Sequence, residues 1–223
     1  MKNNIMYYLK KIVYLIVFAG FTSASASSYE DFFNAVLNDQ PELVKQLLSR
    51  GFDANTLDPK GLHGLYLALR EPSPKVAEVL IDWPKTNVNV LNAQNESPLM
   101  LAALKGDQPS AEKLIKKGAD VNKTGWAPLH YAASNGNLPI IALLIENSAY
   151  IDAESPNGTT PLMMAAMYGT PEAVKLLVDE GADVQLKNQQ GLTALDFAQR
   201  ASRPDSAELI ATAIKRKRPA GSW

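Results

Sequence analysis

The sequence predicts an all-α solenoid of about six helix-turn-helix units, with short β-hairpin fingers between them. Three observations carry that expectation. A short run of one shape returns five times, and the second residues of the copies (Gly64, Pro98, Pro128, Pro161 and Ala194) stand 34, 30, 33 and 33 residues apart. A period near 33 with two short helices per unit marks a stacked repeat array rather than a catalytic globule. The clearest copies, Ala127-Pro128-Leu129-His130-Tyr131-Ala132-Ala133 and Thr160-Pro161-Leu162-Met163-Met164-Ala165-Ala166, place small residues at helical spacing, so that neighbouring helices approach closely. Glycine or proline then punctuates each unit where a short helix has to end.

The N-terminus is expected to stand apart from the fold. Lys2, Lys10 and Lys11 precede an apolar run from Ile12 to Phe21, and Ala24-Ser25-Ala26 fits a small-residue cleavage site. Residues 1–26 therefore read as a secretory signal cleaved to leave Ser27 first, with a retained anchor as the rival. Ten apolar residues fall short of the roughly 20 that a spanning helix needs. The expected location is periplasmic or secreted, with no stable membrane anchor after cleavage. The sequence has no cysteine, so disulfides, thiolate-bound zinc and a lipidated cysteine are all ruled out.

The units follow in order, at about 29–60, 61–94, 95–124, 125–157, 158–190 and 191–215. Unit one lacks the Thr-Pro-Leu run but keeps Pro41, Val44, Leu47, Leu48, Gly51 and Asp53. Unit two is degenerate, with Pro72 in place of the helix-ending glycine and one extra residue in Pro84-Lys85-Thr86. Unit three carries Gly106, and Gly118-Ala119-Asp120-Val121-Asn122 at its second turn. In unit four Gly136 ends the first helix, and Ser148-Ala149 replaces the glycine-alanine pair. Unit five shows the pattern in full. Thr160 caps the first helix, Pro161 suits its first position, and Gly169 is expected to end it in a positive-φ conformation. Pro171 opens the second helix, whose Val174, Leu177 and Val178 are expected to face inward. Unit six ends in a helix led by Asp205-Ser206-Ala207-Glu208, and the first and last units read as polar caps.

From about Tyr29 to Lys215 the chain resembles the ankyrin-repeat family, and its signal makes it look like a bacterial-type exported ankyrin protein. That resemblance implies an ankyrin-repeat solenoid, specific as to fold and nearly silent as to activity. Both histidines have structural roles under it. His130 would bond backbone between adjacent turns, and His63 would stand in for a capping threonine.

Little points to chemistry. No G-x-S-x-G elbow, P-loop or dinucleotide fingerprint appears, and the acidic residues show no metal-loop spacing. The expectation is no enzyme, no cofactor and no metal. After removal of residues 1–26 the chain has 19 basic and 23 acidic residues, a net charge of −4, which argues against nucleic acid. The basic run Lys215-Arg216-Lys217-Arg218 opens a tail at 216–223. It reads as cations closing the last helix, with a nuclear-localisation or polyanion tract as the alternative.

Binding is what remains: a monomer with a protein partner. The resemblance implies a concave face built from fingers and first helices. It places Trp126, Ser134, Asn135, Thr159, Met167 and Tyr168 centrally on that face, with Glu96, Leu104, Lys105 and Arg70 toward the N-terminal side. The third finger, Lys123-Thr124-Gly125, is three residues shorter than the fifth and leaves a notch with Trp126 at its base. Two readings stay open, a slot for a partner or a neutral deletion with Trp126 folded onto its own turn. The functional expectation is a non-catalytic adaptor. The alternatives are an immunity protein neutralising an exported toxin or enzyme, and a host-directed effector.

Overall fold

The computed structural model describes residues 27–217, so the expected signal segment and the end of the basic tail lie outside the described residues. Those residues form helices and turns. An isolated antiparallel bridge joins Leu57 and His63, and the fingers are tight turns rather than laddered strands. The fold class is the expected all-α solenoid, divided into two compact units, 27–85 and 86–217.

The first unit holds α1 (27–37), α2 (Pro41–Ser49), α3 (Gly64–Arg70) and α4 (Pro74–Asp82). Phe32 is fully buried and stacks on Phe52, with ring centroids 4.6 Å apart. That ring explains why α3 opens on Gly64 where later units use proline or alanine: a Cβ at Gly64 would lie 2.8 Å from Phe32 Cε1. The helix stops at Glu71, which is extended (ψ 164°), because Pro72 disfavours a helical residue before it.

The second unit holds α5 (Pro98–Lys105), α6 (Gln108–Lys116), α7 (Pro128–Asn135), α8 (Leu138–Glu146), α9 (Pro161–Tyr168), α10 (Pro171–Asp179), α11 (Ala194–Arg200) and α12 (Pro204–Lys217). The odd-numbered helices pack on one another as an inner row, and the even-numbered ones form an outer row. Leu99, Leu129 and Leu162, one repeat apart, are all buried in the core with the paired alanines beside them. Val174 and Leu177 face inward as expected, whereas Val178 is half-buried because its side faces α12 at the last outer-helix groove.

The caps follow the sequence logic with one correction. Thr160 Oγ1 accepts from the Met163 N–H, and Gly106 and Gly136 end α5 and α7 at φ 72° and 68°. Gly169 does not take that conformation. It is extended (φ −78°, ψ −152°), and glycine is required there by contact, since a Cβ would sit 2.3 Å from the Ala133 carbonyl oxygen.

Short polar side chains tie successive turns together. Asn89 Nδ2 donates to Gly118 O (3.0 Å) and its Oδ1 accepts from Asp120 N–H (2.8 Å). Asn122 bonds Ser148 O and Tyr150 N–H in the same way, both at 2.7 Å. Asp152 accepts from Asp183 N–H at 3.0 Å. Lys215 and Arg216 lie in the last turn of α12, where cations complement the helix dipole.

Candidate functional site

The inner helices of 86–217 enclose a cavity of about 260 Å³ lined by Leu104, Trp126, His130, Tyr131, Ser134 and Met164. Local structure fixes each wall. Tyr131 and Met164 both stand three residues after the helix-opening proline of their units, so the inner row presents them side by side. Trp126 ends the clipped finger, and its half-buried ring meets the His130 imidazole edge-on at 5.2 Å between centroids. His130 is fully buried. Its Nδ1 accepts from Ala127 N–H (3.1 Å), so Nε2 carries the proton and donates to Thr159 O (2.9 Å). Burial holds the imidazole pKa below its ordinary value, although bonds to the backbone of Thr159, Ala127 and Ala153 oppose that shift. The histidine is thus a neutral strut that fixes the tryptophan.

The opposite wall is also held. Tyr131 Oη donates to Glu96 Oε1 (3.2 Å), and Asn92 Nδ2 donates to Glu96 Oε2 (2.7 Å). Ser134 Oγ donates to Tyr131 O (2.9 Å). The cavity is therefore largely apolar, preformed and open, a shape suited to receiving one large side chain.

The expected partner-facing residues divide under this geometry. Trp126 and Ser134 line the cavity together with Leu104. Lys105 and Asn135 are exposed at the ends of α5 and α7, Tyr168 is 56% exposed at the end of α9, and Met167 is half-buried. Glu96 is half-buried and bonded to Asn92 and Tyr131, so it supports the wall. Thr159 is a correction. It is only 2% exposed, with its N–H bonded to Ser155 Oγ and its carbonyl to His130, so it faces the interior.

Trp126 meets neither of the two expected outcomes alone: it packs on its own turn through His130 and also lines the opening. Its neighbour from α9 is Met164, where Met167 and Tyr168 had been expected, because Met164 lies a turn nearer the fingers. Tyr131 and Met164 were missed as lining residues. Their matched places in two successive copies of the repeat were the available signal.

The family model described as ankyrin repeats (3 copies) matches residues 32–125, 72–155 and 129–218. The chain belongs to the ankyrin-repeat family. Ankyrin repeats imply protein–protein binding, and the cavity sits on the inner helices of such a module. Among curated relatives, the nuclear factor NF-kappa-B p105 subunit of Gallus gallus is 31% identical over 132 residues, covering 56% of this chain and 13% of that protein. A putative ankyrin repeat protein of Rickettsia bellii is 29% identical over 146 residues, covering 60% of this chain and 41% of that protein. This ankyrin-repeat chain thus spans less than half the length of those relatives. Among solved structures, a chain from the complex of a predatory endopeptidase from Bdellovibrio bacteriovorus with an immunity protein matches at TM-score 0.69 and 31% identity. That match covers 82% of this chain and 97% of the other. Family and structural neighbour both point to a binding module. Among the described residues no helix is long and apolar enough to cross a membrane.

Proposed function

We propose that this chain is an exported immunity-type inhibitor, which binds an endopeptidase in the periplasm or outside the cell and neutralises it there. One observation carries the reading: 31% identity, extending over 97% of a chain from the endopeptidase–immunity protein complex. The likeness covers 82% of this chain as well, so it extends over most of the repeat stack. The geometry adds a mechanism. The inhibitor binds as a monomer without chemistry of its own, and the cavity between Trp126, Tyr131 and Met164 receives an apolar side chain from the enzyme surface.

Purified 27–223 chain, mixed with the predatory endopeptidase of that complex, tests the reading directly. The expected result is a one-to-one complex with peptide-bond cleavage suppressed. A complex that leaves turnover unchanged would favour the adaptor reading. Failure to bind this enzyme or any endopeptidase recovered from the native compartment would remove the inhibitor reading.

A further inference from the structure

In residues 86–217 the residue before each of the outer helices α8, α10 and α12 lies over the end of the inner helix one repeat earlier. A Cβ added to Gly106 would meet Asn137 Nδ2 at 2.7 Å, and one added to Gly136 would meet Thr170 Cγ2 at 2.5 Å. Asn137 and Thr170 also cap their own helices, accepting from Ile140 N–H (3.0 Å) and Ala173 N–H (3.2 Å). One repeat further on, the same place is held by Arg203. A guanidinium has donors and no acceptor, so it cannot cap α12 as those side chains cap their helices.

Arg203 reaches back instead. Nη1 donates to Gly169 O at 2.8 Å and Nη2 donates to Tyr168 O at 3.0 Å. A planar fork on two consecutive carbonyls fixes their direction as a single contact would not. The end of α9 differs from its counterparts accordingly, with Gly169 extended where Gly106 and Gly136 are left-handed. The residue so held is Tyr168, 56% exposed and one helical turn beyond Met164 of the cavity wall.

We propose that Arg203 is a positioning residue for partner binding: it clamps the end of α9 so that Tyr168 stands as a fixed aromatic contact continuing the cavity surface. Ordering the end of the helix before the encounter removes a cost that binding would otherwise carry. This inference rests on the inner helices being the partner-binding face.

The informative variant is Arg203→Asn, which supplies the kind of cap found at Asn137 and so keeps α12 intact, with Arg203→Lys as a cation that cannot fork. Two measurements separate the clamp from the inhibitor reading. The first needs no partner. In 3-fluorotyrosine-labelled protein, the Tyr168 resonance, assigned through Tyr168→Phe, should shift and narrow in Arg203→Asn while that of the exposed Tyr150 stays put. The second is affinity for the Bdellovibrio endopeptidase. Arg203→Asn should weaken it about tenfold when Tyr168 is present and leave it unchanged in a Tyr168→Ala background, as coupled residues behave. An unmoved Tyr168 resonance overturns the proposal, as does undiminished affinity or an equal loss without Tyr168. If the unaltered chain binds no endopeptidase, the inhibitor reading falls by itself and the Tyr168 resonance still decides the clamp.

Discussion

His63 and His130 share one tautomer because each accepts a backbone N–H at Nδ1. His63 accepts from Leu65 at 3.2 Å as the cap of α3, and its Nε2 then donates to Asn55 Oδ1 at 3.1 Å. Burial lowers the His63 pKa to about 4, with Asp53 partly opposing that shift. Between that value and the ordinary 6.5 the unfolded chain binds the proton and the folded chain does not, so stability falls as pH falls. The contribution is fully present above pH 6.5 and amounts to roughly 3 kcal/mol lost by pH 4 for His63 alone. His63→Thr keeps a cap and removes the titration, so its denaturant-unfolding free energy should show a shallower slope than the unaltered chain between these pH values. A parallel slope would assign the acid sensitivity elsewhere. Ser148 offers an independent check. It holds φ 65° where units three and five have glycine. Ser148→Gly relieves that conformation and should raise stability by roughly 0.5–1 kcal/mol, read as an upward shift of the thermal midpoint. The cap roles of Thr160 and His63 were legible from sequence because capping is local. The extended backbone of Gly169 was not, since the Arg203 fork on its carbonyl and the Ala133 carbonyl that leaves no room for a Cβ both come from other repeats.

At the scale of the element, the clipped finger decides what the inner helices expose. Full-length fingers close on a polar residue whose side chain holds the loop: Asn92 Oδ1 accepts from Gln94 and Glu96 N–H, and Asn188 Oδ1 accepts from Gln190 and Leu192 N–H. Residues Lys123–Gly125 are too few for that closure, and Gly125 instead approaches Pro156 of the next finger. Trp126 is left at the mouth of the cavity. Trp126→Ala should therefore weaken endopeptidase binding by at least about 2 kcal/mol. It should also cost some stability, since the ring contacts His130. Calorimetric titration beside a thermal melt separates the two effects. Inserting three polar residues after Lys123 should block binding with little change in the melt, and normal binding by that variant would remove the cavity from the interface. The finger's length was readable in the sequence. Which side chains its absence uncovers depended on helix packing, and so Met164 replaced Met167 and Tyr168 as the near neighbour.

At the scale of the whole molecule, the export reading makes its own prediction. Protein recovered from the periplasm or medium should have an intact mass corresponding to a chain beginning at Ser27, whereas full-length protein found solely in the cytoplasm would count against both the location and an inhibitor acting there. Residues 27–223 carry a net charge of −4, which argues against a nucleic-acid partner. It favours no particular protein partner. The choice between adaptor and inhibitor came from likeness to a solved complex, because the repeat frame constrains folding while its exposed positions are free to vary.

The sequence by itself determined the all-α repeat fold, the helix starts, the His63 cap and the short third finger. Each of these rests on contacts within a unit or on a spacing that recurs every 33 residues or so, and such terms are visible along the chain. Only the tertiary structure decided that Thr159 is buried, that Tyr131 and Met164 complete a cavity with Trp126, and that Arg203 holds the end of α9. Those features join residues about 30 or more positions apart through side-chain direction across the stack. A linear pattern records periodicity but not which way a side chain points into its neighbour.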